Sequence, residues 1–154
     1  MELLLWRHCE AEPGEPDLGR ALTGKGEKQA HRVAAWLHVH LPDTARILVS
    51  PARRAQQTAT ALAELAPRKL KTVDALAPGA SADEVLRAVG WPAGKAAIVV
   101  VGHQPTLGWV ASRLLTGVES DWPIKKGAVW WFSSRSRLGV EQAVVRAVLG
   151  PDLV

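Results

Sequence analysis

Apolar and polar positions fall into blocks that alternate between strand-like runs and helical spacing. Leu3 to Trp6 is an unbroken apolar run, the pattern of a strand buried on both faces. Pro13, Gly14, Pro16 and Gly19 then mark a loop. Thr23 can cap a helix whose apolar stripe is Val33, Trp36, Leu37 and Leu41, with Gly24 and Gly26 weakening its first turn and Pro42-Asp43 ending it. Arg46 to Val49 reads as a second strand. Ser50-Pro51 offers preferred N-cap and N1 residues for a second helix, which runs to about Ala66 before Pro67. Leu70 to Val73 is a weak strand, and Ser81 caps a short helix to Val89. Ala96 to Val101 is the strongest strand, closed by Gly102, and a helix from Pro105 or Thr106 runs to about Leu115. Ala128 to Ser133 and Val140 to Val148 alternate as an antiparallel pair joined by the polar turn Ser133 to Gly139.

Strands alternating with helices predict an α/β three-layer domain with a mainly parallel sheet. Ligands of such sheets bind outside the carboxyl ends of the strands. Arg7 and His8 follow the first strand, Ser50-Pro51-Ala52-Arg53-Arg54 the second, and His103 the strongest. Three strand ends therefore deliver arginines and histidines to one edge. Arg53 and Arg54 also sit in the first turn of a helix, where the macrodipole disfavours a cation by about 0.3–1 kcal/mol. An anion between them and the helix N-terminus would account for that placement.

Composition narrows the class. The 154 residues suit one domain, 1–154, with little material left for a cap domain. The 47% hydrophobic and 22% charged content excludes a disordered chain. One cysteine, Cys9, excludes an internal disulfide and a Cys-rich zinc module. No run approaches a membrane span, and the N-terminus lacks the pattern of a signal peptide, so a soluble cytoplasmic protein without membrane contact is expected. The +4 net charge suits an anionic substrate but carries no basic stripe with interleaved aromatics, so no nucleic acid is expected. No Gly-x-x-x-x-Gly-Lys-Ser/Thr run supports a nucleotide site.

The chemistry these residues suggest is phosphoryl transfer. Arginine forks match phosphate oxygens and stay charged. A histidine can be a covalent nucleophile when its attacking nitrogen is unprotonated, and neighbouring guanidinium charge keeps it so. Neither a metal nor another cofactor is required.

Arg7-His8, Arg20-Ala21-Leu22-Thr23-Gly24-Lys25-Gly26, Ser50-Pro51-Ala52-Arg53-Arg54-Ala55-Gln56-Gln57-Thr58 and Val101-Gly102-His103-Gln104-Pro105 together resemble the histidine phosphatase superfamily. The short, uncapped SixA-type phosphohistidine phosphatases are the most similar members. The resemblance spans nearly the whole chain, and its most specific part is Ser-Pro-x-x-Arg-Ala-x-Gln-Thr. It implies a phosphoglycerate mutase-like α/β/α sandwich with a mostly parallel central sheet of about six strands. It implies His8 as the phosphorylated nucleophile and Arg7, Arg54 and His103 as the rest of the phosphate pocket, selecting Arg54 over Arg53. Arg20 matches a further basic position that binds substrate. The expected partner is a phosphorylated protein, such as a histidine-phosphotransfer domain or histidine kinase, with phosphate or another anion in the pocket.

Two positions depart from the family pattern. Cys9 stands where glycine is usual, which puts the local loop geometry in question. The glutamate that protonates the leaving group in many larger members has no counterpart near Leu76 to Gly79; Asp74, Asp83 and Glu84 are the nearby acids. A labile P–N bond asks less of such an acid than an alkoxide leaving group does. Both the small, open site and the missing acid favour phosphohistidine hydrolysis over a sugar-phosphate mutase or a small-molecule phosphomonoesterase of the same superfamily. A non-catalytic phosphate-recognition module, with Cys9 as the suspect substitution, is the other alternative.

Overall fold

The computed structural model describes residues 1–154. Its strands are β1 (Glu2–Arg7), β2 (Arg46–Val49), β3 (Leu70–Thr72), β4 (Ala97–Gly102), β5 (Val129–Arg137) and β6 (Val140–Leu149). Its helices are α1 (Gly24–His40), α2 (Arg53–Ala63), α3 (Ala82–Val89) and α4 (Thr106–Thr116). All six strands join one sheet in the order β3-β2-β4-β1-β5-β6. The β3-β2, β2-β4 and β4-β1 pairs are parallel, while β1-β5 and β5-β6 are antiparallel. Three of the five pairings are thus parallel, as expected for most of the sheet, and two are antiparallel. After α4 the chain returns to the carboxyl end of β1, where Gly127 N donates to the Arg7 and His8 carbonyls, and β5 runs back beside β1.

Alternation along the central strands fills two cores. Leu4, Trp6, Ile47, Val49, Val99 and Val101 face α1 and α2, where Val33, Leu37, Ala55, Ala59 and Leu62 meet them. Leu3, Leu5, Ile98 and Val100 face the other way, onto Val85, Val89, Leu107 and Val110 of α3 and α4. Trp130 and Trp131, adjacent in β5, pack against opposite cores. No helix is long and apolar enough to cross a membrane.

Local chemistry sets most element ends. The Thr23 hydroxyl accepts from Gly26 N at 2.9 Å and starts α1. Gly26 is required by proximity: a Cβ there would lie 2.0 Å from the Glu10 carbonyl oxygen. Ser81 and Glu84 form a capping box at α3. The second helix departs from the expected Ser50 start. It begins at Arg53 with Ala52 as N-cap, because the Ser50 hydroxyl is occupied by Ala52 N and His103. It ends at Ala63 and yields to turns before Pro67.

The final hairpin also differs from expectation. Both strands continue through the polar segment, leaving a two-residue turn of Leu138 (φ 53°) and Gly139 (φ 75°). Positive φ at both positions is the type I′ requirement, which suits Asn or Gly and strains Leu. Leu138 is 96% exposed and gains little from its position. Replacing it, as Leu138→Asn, should stabilise the chain by about 1 kcal/mol and raise Tm by about 2–4 °C in a thermal melt.

Candidate active site

β2, β4 and β1 are consecutive neighbours in the sheet, and their carboxyl ends lie level: Trp6 and Val49 both pair with Val101, and Arg7 with Gly102. The residues that continue these strands therefore converge. His8 and His103 lie with ring centroids 5.1 Å apart. Arg54, in the first turn of α2, reaches both rings. Arg53, its neighbour in sequence, is exposed.

Two contacts fix the tautomer of His8. Nδ1 lies 2.8 Å from the Cys9 carbonyl oxygen, which can only accept, so Nδ1 carries the hydrogen. Nε2 lies 3.3 Å from Arg54 Nε, which can only donate, so Nε2 carries a lone pair. Burial, followed by the positive charges of Arg54, Arg7 and Arg20, pushes the His8 imidazole down to about 4 against the raising effect of the Cys9 carbonyl. His8 is thus a neutral imidazole near pH 7 with its lone pair toward Arg54.

His103 is set differently. Its Nε2 meets the Ser50 hydroxyl at 2.7 Å, and its Nδ1 meets Arg54 Nη2 at 3.5 Å. Arg54 Nη2 can only donate, so Nδ1 accepts and Nε2 carries the hydrogen toward Ser50. Because the hydroxyl can also donate, Ser50 equally supports the other tautomer, reached by exchange of one proton with solvent, in which Nδ1 carries the hydrogen. Burial, then His8 and Arg54, push the His103 imidazole down to about 3. The unfolded chain protonates both histidines as pH falls through about 6.5, whereas the folded chain resists until about 4 and 3. The stability held above pH 6.5 is therefore lost as pH falls through this window, by about 1.4 kcal/mol per pH unit for each histidine. Chemical denaturation at pH 7 and pH 5 should show a smaller loss in His103→Gln than in wild type.

The arginines divide by their partners. Arg7 donates from Nη1 to the Ile124 carbonyl at 2.8 Å, and its buried Nε has no partner within the protein. Arg54 donates from Nη1 to the Asp17 carbonyl at 2.8 Å and from Nη2 to Asp17 Oδ2 at 3.1 Å. Arg20 lies farther out, on the Glu12 carbonyl and Asp17 Oδ1. It is joined to Arg54 through Asp17 and makes no contact with either ring.

The other polar residues of the Ser50–Thr58 segment hold this arrangement in place. Gln56 donates to the Ser50 carbonyl, and Gln57 accepts from Leu22 N. Thr58 donates to the Arg54 carbonyl and accepts from Cys9 N, clamping α2 to the loop after β1. Cys9 is fully buried against the positive-φ Gly127, whose absent side chain leaves room for the thiol. Burial pushes that thiol up to about 12, so it is a packing residue and not a reactive thiolate.

Sequence reasoning missed Asp17 and gave Ser50 a different task. Asp17 lies in the Pro- and Gly-rich loop and belongs to no motif; the uncompensated arginine pair at a helix start was the one signal for an anion there. The acids considered at the sequence level are engaged elsewhere or do not join the cluster: Asp83 pairs with Arg113, Glu84 closes its capping box, and Asp74 opens a short 3-10 turn. No three His, Cys, Asp or Glu side chains are grouped to hold a metal ion. The arrangement sets the unprotonated Nε2 of His8 inside a fork of cationic donors, suited to a phosphoryl group.

Comparison with known proteins bears on the family and the fold. The model of the histidine phosphatase superfamily (branch 1) matches residues 3–77. A phosphohistidine phosphatase SixA homolog of Haemophilus influenzae is 29% identical over 157 residues, covering 93% of this chain and 96% of its own. The structure of a candidate phosphohistidine phosphatase SixA from Nakamurella multipartitia is 26% identical, with TM-score 0.81 over 97% of this chain and 95% of that one. Protein histidine phosphatase SixA complexed with tungstate has the same fold at 23% identity, with TM-score 0.83 over 99% of both chains. Small-molecule phosphatases share it as well, among them mycobacterial glucosyl-3-phosphoglycerate phosphatase at 18% identity, TM-score 0.73, over 95% of this chain and 97% of that one.

Proposed function

The chain belongs to the histidine phosphatase superfamily, and from that premise we propose that it is a phosphohistidine phosphatase acting on a phosphorylated protein. The observation that carries the reading is the fixed tautomer of His8, whose Nε2 lone pair faces the buried Arg54 guanidinium. Arg54 Nε lets go of Nε2 as a phosphoryl oxygen arrives, and the freed lone pair attacks phosphorus. The P–N bond of the substrate breaks, and its electron pair passes to the departing imidazole. Arg7 and Arg54 neutralise the charge on the equatorial oxygens, while His103, in the tautomer with its hydrogen on Nδ1 and its Nε2 accepting from the Ser50 hydroxyl, donates to a phosphoryl oxygen. The Cys9 carbonyl accepts from Nδ1 throughout, which favours the positive ring of phospho-His8. Water then attacks phosphorus, the P–Nε2 bond breaks, and His8 returns neutral with release of inorganic phosphate.

The choice of phosphohistidine over a phosphomonoester rests on proton supply. An alkoxide leaving group needs a general acid. The carboxyl that touches the cluster, Asp17, is held below the usual carboxylate range by hydrogen bonds from Arg20 and Arg54, and is ionised. Neither histidine holds a proton to spare near neutral pH. An imidazole leaving group brings its own proton on its far nitrogen.

The test is turnover on a phosphorylated histidine-phosphotransfer domain beside a panel of sugar phosphates, nucleotides and phosphoserine. The expected result is a higher kcat/KM on the phosphohistidine protein. A higher value on a phosphomonoester overturns the reading in favour of a small-molecule phosphatase. Phosphate binding without any turnover would mark a recognition module.

A further inference from the structure

Asp17 is the one side chain in the cluster whose charge opposes an incoming phosphate. Its two carboxylate oxygens are divided between two cations, Oδ1 on Arg20 at 3.1 Å and Oδ2 on Arg54 at 3.1 Å. The Arg54 side chain is 5% exposed and that of Asp17 is 51% exposed, so the carboxylate lies on the solvent side of the guanidinium. The guanidinium also has a direction. Its Nε end meets the lone pair of His8, and both Nη groups meet Asp17. A phosphoryl group lying along this fork has the nucleophile at one end and a carboxylate at the outer end. In an in-line displacement the outer end is where the leaving group departs.

We infer that Asp17 is a specificity-determining residue that accepts a hydrogen bond from the leaving imidazole and so selects phosphohistidine over phosphate esters. This assignment rests on the function proposed above and adds the residue that discriminates. The reactive form of a phosphorylated imidazole carries a hydrogen on the nitrogen not bound to phosphorus, and hence a positive ring. A carboxylate beside that N–H stabilises the cation and orients the ring. When His8 Nε2 attacks, the P–N electron pair neutralises the ring, and the imidazole departs with its N–H intact. No proton need pass to or from Asp17. An ester leaving group gains negative charge instead, and the same carboxylate repels it.

The experiment compares wild type with Asp17→Asn on two substrates, a chemically phosphorylated histidine-phosphotransfer domain and p-nitrophenyl phosphate. Asparagine keeps the shape of the side chain and an acceptor for the arginines, and removes the charge. Asp17 is exposed, and its backbone carbonyl still accepts from Arg54, so the fold tolerates the change. The expected result is a fall in kcat/KM on phosphohistidine and a rise on p-nitrophenyl phosphate, lowering their ratio by roughly tenfold or more, the size of one hydrogen bond to a charged group. An unchanged ratio overturns the assignment. If both rates fall alike, Asp17 only positions Arg54; if both rise alike, it only competes with phosphate. Wild-type chain inert toward phosphohistidine but active on p-nitrophenyl phosphate overturns the proposed function itself, a result separate from any effect of the variant.

Discussion

Incubated with a labelled phosphodonor, the wild-type chain should acquire an acid-labile, base-stable label, and His8→Ala should acquire none. Turnover should fall by about three orders of magnitude or more, because the covalent route is lost and only charge stabilisation remains. Fold and nucleophile can be separated in this experiment. His8 lies at a strand end and its ring contributes two hydrogen bonds, to the Cys9 carbonyl and from Arg54, so its removal leaves both sheet cores untouched. Circular dichroism and the thermal melt should show a folded chain. Label persisting in His8→Ala, on His103 for example, would sink the assignment of the nucleophile.

The second large effect concerns Arg54. Its three side-chain nitrogens serve His8 Nε2, the Asp17 carbonyl, Asp17 Oδ2 and His103 Nδ1. Lysine keeps the charge but offers one nitrogen, and cannot span the nucleophile, the phosphoryl oxygens and the outer carboxylate together. Arg54→Lys should lower kcat/KM by about 10³-fold, the scale on which arginine stabilises phosphoryl transfer. The exposed Arg53 is the natural control, and Arg53→Ala should turn over like wild type. Steady-state kinetics on both variants decide it: near-wild-type turnover by Arg54→Lys would remove the fork from the mechanism.

Periodicity located the elements because burial governs it. The uninterrupted run Leu3 to Trp6 and the run through Val101 became the two central parallel strands, β1 and β4. Strand ends then pointed to Arg7, His8 and His103 without any knowledge of side-chain contacts. Three features resisted the same reasoning, each for a physical reason. The start of α2 depended on whether Ser50 would cap a helix or bind a histidine 53 residues away, and the distant partner won. The hairpin turn was hidden because Ser133 to Arg137 are polar yet paired, on a part of β5 that extends beyond the cores. Asp17 was invisible because its partners meet only after folding. The choice between Arg53 and Arg54 came from motif resemblance; helix phase relative to β1 and β4 is what buries one and exposes the other.

The strand order carries a consequence for the birth of the protein. β4 lies between β1 and β2 in the sheet, although it follows both in the chain. A ribosome that has released the first 90 residues has made His8, Asp17 and Arg54, but the strand that holds β1 and β2 at their proper separation does not yet exist. Insertion of Ala97 to Gly102 closes the gap and delivers His103 in the same event. The nascent chain therefore has no assembled phosphate pocket until its fourth strand emerges, and a chain ending before that strand should remain unable to take a phosphoryl group from any donor.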